Sequence, residues 1–231
     1  MINKLLVFLL ALIISTNANS CSPWDPRCSM PVLDNKFYGG VTFGYANLVG
    51  QLNRTLNVQT SDRVTSLGEG TNVPGVFFGY QKIIEGRVYI ASEAFYQYSN
   101  ILIEKEENTF PAFVNYFTYI KNDNKYGIAG KVGFTHQNNI FYIKLGLAVS
   151  RFTLGFKDNS NNDGITSSVT RREKGMLFGL GTDYFISKSV GVGVEYEITK
   201  YPSMKFKNNI VGSFSFKPVT HTFQMRFKYT F

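Results

Sequence analysis

Eight charged residues sit where type and spacing could carry chemistry. They are the carboxylates Glu93, Asp183, Glu195 and Glu197 and the cations Lys131, Lys144, Arg226 and Lys228. Glu195 and Glu197 are two apart, so in an extended chain they share a face, the arrangement paired carboxylates need for acid–base work. Arg226 and Lys228 share a face by the same rule. Four acids against four bases form a balanced set, and charges taken out of water must be paired or carry a large desolvation penalty. The expectation is a set of buried ion pairs, with a narrow ion path through rearranging pairs as the alternative. Nucleophilic catalysis would need a base beside Ser or Cys and an acid to orient it. The chain has only two histidines, His136 and His221, and neither has such neighbours in sequence. It shows no metal-ligand cluster, P-loop or glycine-rich phosphate motif. A non-enzymatic protein without cofactor or metal is expected.

The only cysteines are Cys21 and Cys28. Their spacing is not the Cys-x-x-Cys of redox centres. An oxidising compartment would favour a disulfide around Pro23, Trp24 and Pro26. Lipidation of Cys21 is the competing reading, although Ala18 and Asn19 fit the aliphatic-then-small pattern before a lipidated cysteine poorly.

The elements that must position these groups begin with an export signal. Lys4 precedes an unbroken apolar run, Leu5–Ile14, then small and polar residues that allow cleavage after Ala18 or Ser20. Residues 1–20 are read as a signal peptide and 21–36 as a periplasmic segment. Residues 37–231 then form one domain. The formal charge is +8, falling by one when Lys4 leaves. For an exported chain this points to anionic lipid or glycan neighbours and not to nucleic acid. The chain has 21 Phe, 14 Tyr and 21 Gly, yet its mean hydropathy is only −0.09. Such a balance is expected when apolar and polar residues alternate, hiding two different faces in one average.

The alternation is sharpest at the end, where His221, Phe223, Met225, Phe227, Tyr229 and Phe231 oppose Thr222, Gln224, Arg226, Lys228 and Thr230. It recurs in Val190–Thr199, Met176–Ile186, Phe141–Ser150 and Ile128–Thr135, and near 37–48, 73–82 and 87–98. These are eight strands between an apolar and a wet environment, of the ~10-residue length that a membrane-spanning strand needs. Short turns at Lys82–Gly86, His136–Asn139 and Ser187–Ser189 alternate with long polar connections at 49–72, 99–125, 153–174 and 202–218. Within 99–125, Phe110–Ile120 is read as a hairpin carrying the wall above the membrane, with two further strands as the alternative. Arg171, Arg172 and Lys174 fall on the third long connection, and Lys205, Lys207 and Lys217 on the fourth. They are read as a charged rim facing lipopolysaccharide phosphates, or as a patch for a host surface ligand.

The opening Phe37-Tyr38-Gly39-Gly40-Val41-Thr42-Phe43-Gly44-Tyr45 and the ending Phe227-Lys228-Tyr229-Thr230-Phe231 resemble the outer-membrane β-barrel family, including OmpA-like transmembrane domains and opacity-type surface antigens. The resemblance covers roughly 37–231 by pattern. It implies an all-β, eight-stranded antiparallel up-and-down barrel in the bacterial outer membrane, with short periplasmic turns and long extracellular loops. It also implies that Tyr229 and Phe231 are read by the barrel assembly machinery, and that the peptidoglycan-binding domain of full-length OmpA is absent. Lipid A deacylase barrels share the layout but carry His-x-Ser on one strand; here Thr222 and Phe223 follow His221. The implied role is structural or surface-exposed, as an antigen or adhesin displaying four loops, with a low-conductance porin as the alternative.

Overall fold

The computed structural model describes residues 35–55, 63–109, 114–158, 166–208 and 212–231, all within one compact unit, Leu33–Phe231. The expected signal peptide and both cysteines lie outside the described residues, as does the 21–36 segment apart from Asn35 and Lys36.

The strands are β1 (Lys36–Thr55), β2 (Arg63–Ile84), β3 (Val88–Thr109), β4 (Val114–His136), β5 (Asn139–Asp158), β6 (Thr166–Phe185), β7 (Val190–Lys200), β8 (Met204–Asn208) and β9 (Gly212–Thr230). Each pairs antiparallel with its neighbour, and β1 pairs with β9 to close the sheet. The short β8 adds no ninth stave. It pairs only with β9, and its first rung, Met204↔Phe216, follows the last β7 rung, Lys200↔Val219. Thus β7 and β8 form one stave interrupted at Tyr201–Ser203, and the architecture is the expected eight-stranded closed barrel. Closure satisfies backbone groups along every edge of the membrane-spanning part, which is what lets a sheet cross hydrocarbon.

The tight turns fall where expected. Glu85, Gly86 and Gln137 take the left-handed backbone at φ 51°, 66° and 52°. That conformation lets two to three residues reverse a strand.

Along the lower staves the outward residues are apolar and exposed: Phe37, Val41, Phe43 and Tyr45 on β1, Ile143, Leu145 and Leu147 on β5, Met225, Phe227 and Tyr229 on β9. Aromatics crowd both limits of this belt, with Phe37, Tyr80, Phe134, Tyr184 and Phe231 near the turns and Tyr45, Tyr96, Tyr98, Tyr126 and Tyr196 at the far side. Phe37 to Tyr45 spans roughly 26 Å of strand at ~3.3 Å per residue, or about 20 Å of height at the usual tilt, matching a bilayer's apolar band.

The staves are about twice as long as the sequence reading placed them. The connections read at 49–72, 99–125, 153–174 and 202–218 are largely strand. β3 and β4 stay paired out to Thr109↔Val114, so 99–125 continues the wall as a hairpin; β1 and β2 pair to Arg54↔Arg63 and β5 and β6 to Lys157↔Thr166. The reason is a change of phase. Above the belt the buried inward positions become apolar, namely Leu48, Val73, Ile101, Ile103, Ile120, Phe152, Leu154, Met204 and Phe216. The outward ones become largely polar, as at Asn47, Gln51, Asn100, Glu104 and Arg151. Below, the barrel is apolar outside; above, it folds like a water-soluble sheet with an apolar interior.

Candidate functional site

Inward positions of the lower staves bring all eight expected charges together. Glu93 on β3 lies 2.6 Å from Arg226, 2.8 Å from Lys131 and 3.1 Å from Lys144. Glu195 on β7 meets Lys144 at 2.9 Å, Lys131 at 3.0 Å and Arg226 at 3.2 Å. Glu197, two residues on, takes Lys144 as a partner. Asp183 on β6 holds Lys228 at 3.2 Å. None of these residues exceeds 2% exposure, so no solvent-wide gap runs between them. The paired carboxylates Glu195 and Glu197 face cations.

One member was missed in sequence. Lys125 on β4 lies 2.9 Å from Glu197, with both side chains buried, making five bases against four acids among the described residues. It fell inside the supposed 99–125 loop. Counted back from the inward Ala129 and Lys131, Lys125 keeps the inward phase, and it was missed because the strand is read as starting only at Ile128; the register shift between Asp123 and Lys125 changes the parity beyond it, at Asn122 and Ile120.

A second unread feature is the aromatic lining. Arg226 lies 3.9 Å from the Phe77 ring centre, Lys131 4.4 Å from Tyr142 and Lys144 4.8 Å from Phe95. Lys228 faces Tyr38, Tyr89 and Phe185 at 4.4, 5.4 and 5.2 Å. Each cation thus has carboxylates on one side and a ring face on another, and cation–π attraction strengthens where water is excluded. The phenols act as donors as well: Tyr142 to Glu195 at 2.8 Å and Tyr38 to Glu93 at 3.2 Å.

Above the charges comes a neutral polar layer. Gln97 donates to Gln224 at 2.6 Å, Gln224 to Glu195 at 2.7 Å and Ser99 to Asn122 at 3.1 Å. Tyr201, turned inward by the break between β7 and β8, donates to Ser150 at 2.9 Å and packs edge-on against Phe152. Burial pushes its phenol above the ordinary range, keeping it a neutral donor. The apolar cluster from Leu48 to Phe216 then fills the interior.

The histidines stand apart from all this. His136 is exposed at a turn, and His221 faces outward, its Nδ1 2.7 Å from the Tyr196 hydroxyl. Among the described residues no cluster of His, Cys, Asp or Glu is arranged to hold a metal ion.

The basic residues read as a loop patch lie on strands instead. Arg171, Arg172 and Lys174 are on β6, Lys205 and Lys207 on β8, and Lys217 on β9. The same phase change explains the misreading, since strands polar on their outer face look like loops. Arg172, Lys174, Lys205 and Lys217 are exposed, and Arg171, also exposed, takes the inward phase of β6; the side chain of Lys207 lies outside the described residues. At the other end, the rings of Tyr229 and Phe231 meet edge-on at 5.1 Å, and the Phe231 N–H donates to the Phe37 carbonyl at 3.0 Å.

The family of the outer membrane protein beta-barrel domain matches residues 6–231. No curated protein matches the chain. Among solved structures, the outer membrane protease OmpT of Escherichia coli aligns over 87% of this chain and 98% of its own, with TM-score 0.51 and 10% identity. Ail, the attachment invasion locus protein of Yersinia pestis, covers 84% and 99% with TM-score 0.38 and 12% identity. Neisserial surface protein A covers 83% and 97% with TM-score 0.40 and 14% identity. At such identities the likeness concerns the fold. With its closed sheet, its apolar outer belt and a family match over nearly its whole length, the chain belongs to the outer-membrane β-barrel family, whose place is the bacterial outer membrane.

Proposed function

We propose that this outer-membrane barrel is a plugged, non-enzymatic display protein: a rigid wall carrying four hairpins above the membrane as its recognition surface, in the manner of a surface antigen or adhesin. The observation that carries the reading is the filled interior. A conducting path would have to cross the ion-pair cluster, the glutamine and tyrosine layer and the apolar cluster above them in turn. An ion entering the last would shed its hydration with nothing to replace it. Eight staves leave an interior just wide enough for side chains, and here side chains occupy it. The non-enzymatic part is supported by the placement of His136 at a turn and of His221 on the outer face of the wall, on the opposite side from the buried carboxylates. In the display reading the hairpin tips meet a host surface ligand, while the wall meets lipid and lipopolysaccharide.

The test is single-channel recording of the refolded full chain in planar bilayers, beside a gel in which folded barrels migrate differently before and after boiling. Folded protein with a silent bilayer is the expected result. Folded protein with steady, salt-dependent openings would replace the display reading with that of a low-conductance porin.

A further inference from the structure

Within the apolar belt the sheet is closed, but above it one seam stands open. β6 pairs with β7 only from Phe185↔Gly191 up to Met176↔Lys200, and then runs on to Thr166 paired with β5 alone. β8, which takes over the stave of β7, pairs only with β9. No rung joins β6 to β8 among the described residues. Exposure reports the same opening. At this height β3 alternates regularly, with Ile101 and Ile103 buried between Asn100, Leu102 and Glu104, and β5 buries Phe152 and Leu154. On β6, Ser168, Val169, Thr170, Arg171 and Arg172 are exposed in succession, and Val169, which takes the inward phase, is 44% exposed. The foot of the opening is shut by Tyr201, whose ring lies where a Cβ on Gly175 would go.

The backbone along this edge has a definite direction. The Phe185 N–H points to the β5 side, donating to the Asn138 carbonyl, and the Ile186 N–H points to the β7 side, donating to the Val190 carbonyl. Direction alternates from residue to residue in an antiparallel sheet, and no register shift interrupts the β5–β6 ladder. Lys174, Arg172, Thr170 and Ser168 therefore turn their N–H and C=O groups into the opening. They form roughly 20 Å of strand edge without a partner, the template onto which a further strand adds.

We infer that the opening between β6 and β8 is a docking site for an extended, acidic segment of a partner protein, added as a strand to the β6 edge. The unpaired backbone calls for an extended chain, and charge selects which one. Across Thr166–Gly175 and Met204–Asn208 the cations are Arg171, Arg172, Lys174, Lys205 and Lys207, against one acid, Glu173. A second copy of this protein would bring the same bases to the same edge and be repelled, which is how charged edges keep sheets apart. A segment with carboxylates on its outer face sets them beside Arg172 and Lys174, both exposed and outward. Small or apolar residues on its inner face cover Val169. Backbone rungs then supply affinity and the alternating side chains specificity. A polyanion without a peptide backbone would meet the bases and leave the ladder unsatisfied. The inference deepens the display reading and rests on it for an outward-facing partner.

The experiment is fluorescence anisotropy of a labelled ten-residue peptide alternating Glu and Val, titrated with the refolded full chain in detergent. Three further peptides accompany it: one with Lys in place of Glu, one N-methylated at every Glu and one N-methylated at every Val. Methylation keeps the charge and removes the backbone donors on one side of the strand. Each backbone hydrogen bond is worth about fivefold in affinity. At least one methylated peptide is therefore expected to bind about tenfold or more weakly than its parent, and the Lys peptide likewise. Thr170→Pro/Arg172→Pro removes two N–H groups that face the opening while sparing those that face β5, and should lose the Glu–Val peptide while still showing the folded gel shift. Lys82→Gln/Arg87→Gln at the turn end should bind it as wild type does. Failure of the Glu–Val peptide to bind, equal binding of the Lys peptide, full affinity of both methylated peptides, or full affinity in the folded proline variant would each overturn the site. The peptides alone decide if that variant does not fold. A folded, silent protein that ignores the peptide removes this site and leaves the display reading, whereas a conducting protein that binds it does the reverse.

Discussion

At the residue scale the molecule turns on Glu93. Its carboxylate touches Arg226, Lys131 and Lys144 and accepts from Tyr38, so three cations depend on it in a space closed to water. Removing one member of a buried charged network leaves the others uncompensated, and the cost is about 3–5 kcal/mol. Glu93→Gln keeps the shape and deletes the charge. Urea unfolding in lipid vesicles should register a loss of that size. A variant within about 1 kcal/mol of wild type would mean that Glu195 and Glu197 alone balance the cations. Lys125 belongs to the same accounting, since the fifth base leaves the described cluster one positive charge in excess, and its ammonium lies 6.0 Å from the Phe95 ring centre.

At the scale of elements, the closing seam between β1 and β9 leaves no room for added side chain at Gly40. A Cβ at Gly40 would run into the Phe227 carbonyl and the Phe77 ring, the ring that lies against Arg226. Gly40→Val is therefore expected to obstruct closure and disturb the ion pairs together, cutting the folded fraction several-fold in a heat-shift gel. Full folding would show that the seam can widen. The interrupted stave is the complementary device. Tyr201–Ser203 leave the ladder, the Tyr201 N–H donates to the Pro218 carbonyl at 3.1 Å, and its side chain turns inward to cap the polar layer. This break, like the register shifts at Gln97/Asn100 and Asp123/Lys125, lies near the height where the charged interior gives way to an apolar one.

For the whole molecule, Tyr229 and Phe231 lie where the sheet closes. Phe231 is tied to β1 through Phe37 and meets the Tyr229 ring edge-on at the turn-side rim, and the expectation is that the barrel assembly machinery reads it there. Phe231→Ala should lower the folded fraction in outer membranes of cells while leaving spontaneous refolding into vesicles nearly unchanged. An equal loss in both would assign Phe231 to stability, and no loss in cells would remove it as an assembly signal.

What the sequence determined by itself is the part governed by one period. Alternation of two, with apolar residues on one face and Glu, Lys and Arg on the other, is sufficient to specify membrane-spanning strands, their number, the tight turns and the eight inward charges, because each outward residue meets the same hydrocarbon. The tertiary structure decided the rest, and each case has the same physical root: an environment set by distant chain. The hairpins above the belt alternate just as regularly, but Leu48, Ile101, Phe152 and Phe216 find one another only once the barrel closes, so their strands read as polar loops. Lys125 keeps the inward phase of Ala129 and Lys131, but only its pairing with Glu197 on another stave shows that the buried charges reach it. Tyr38, Phe77, Phe95 and Tyr142 read as glycine-aromatic barrel composition until closure set their rings over cations contributed by other staves. Ser168, Arg172 and Met204 fall within connections of the sequence reading, and only the register shows them on two strand edges with no rung between them, because a rung forms or fails according to where distant chain comes to lie.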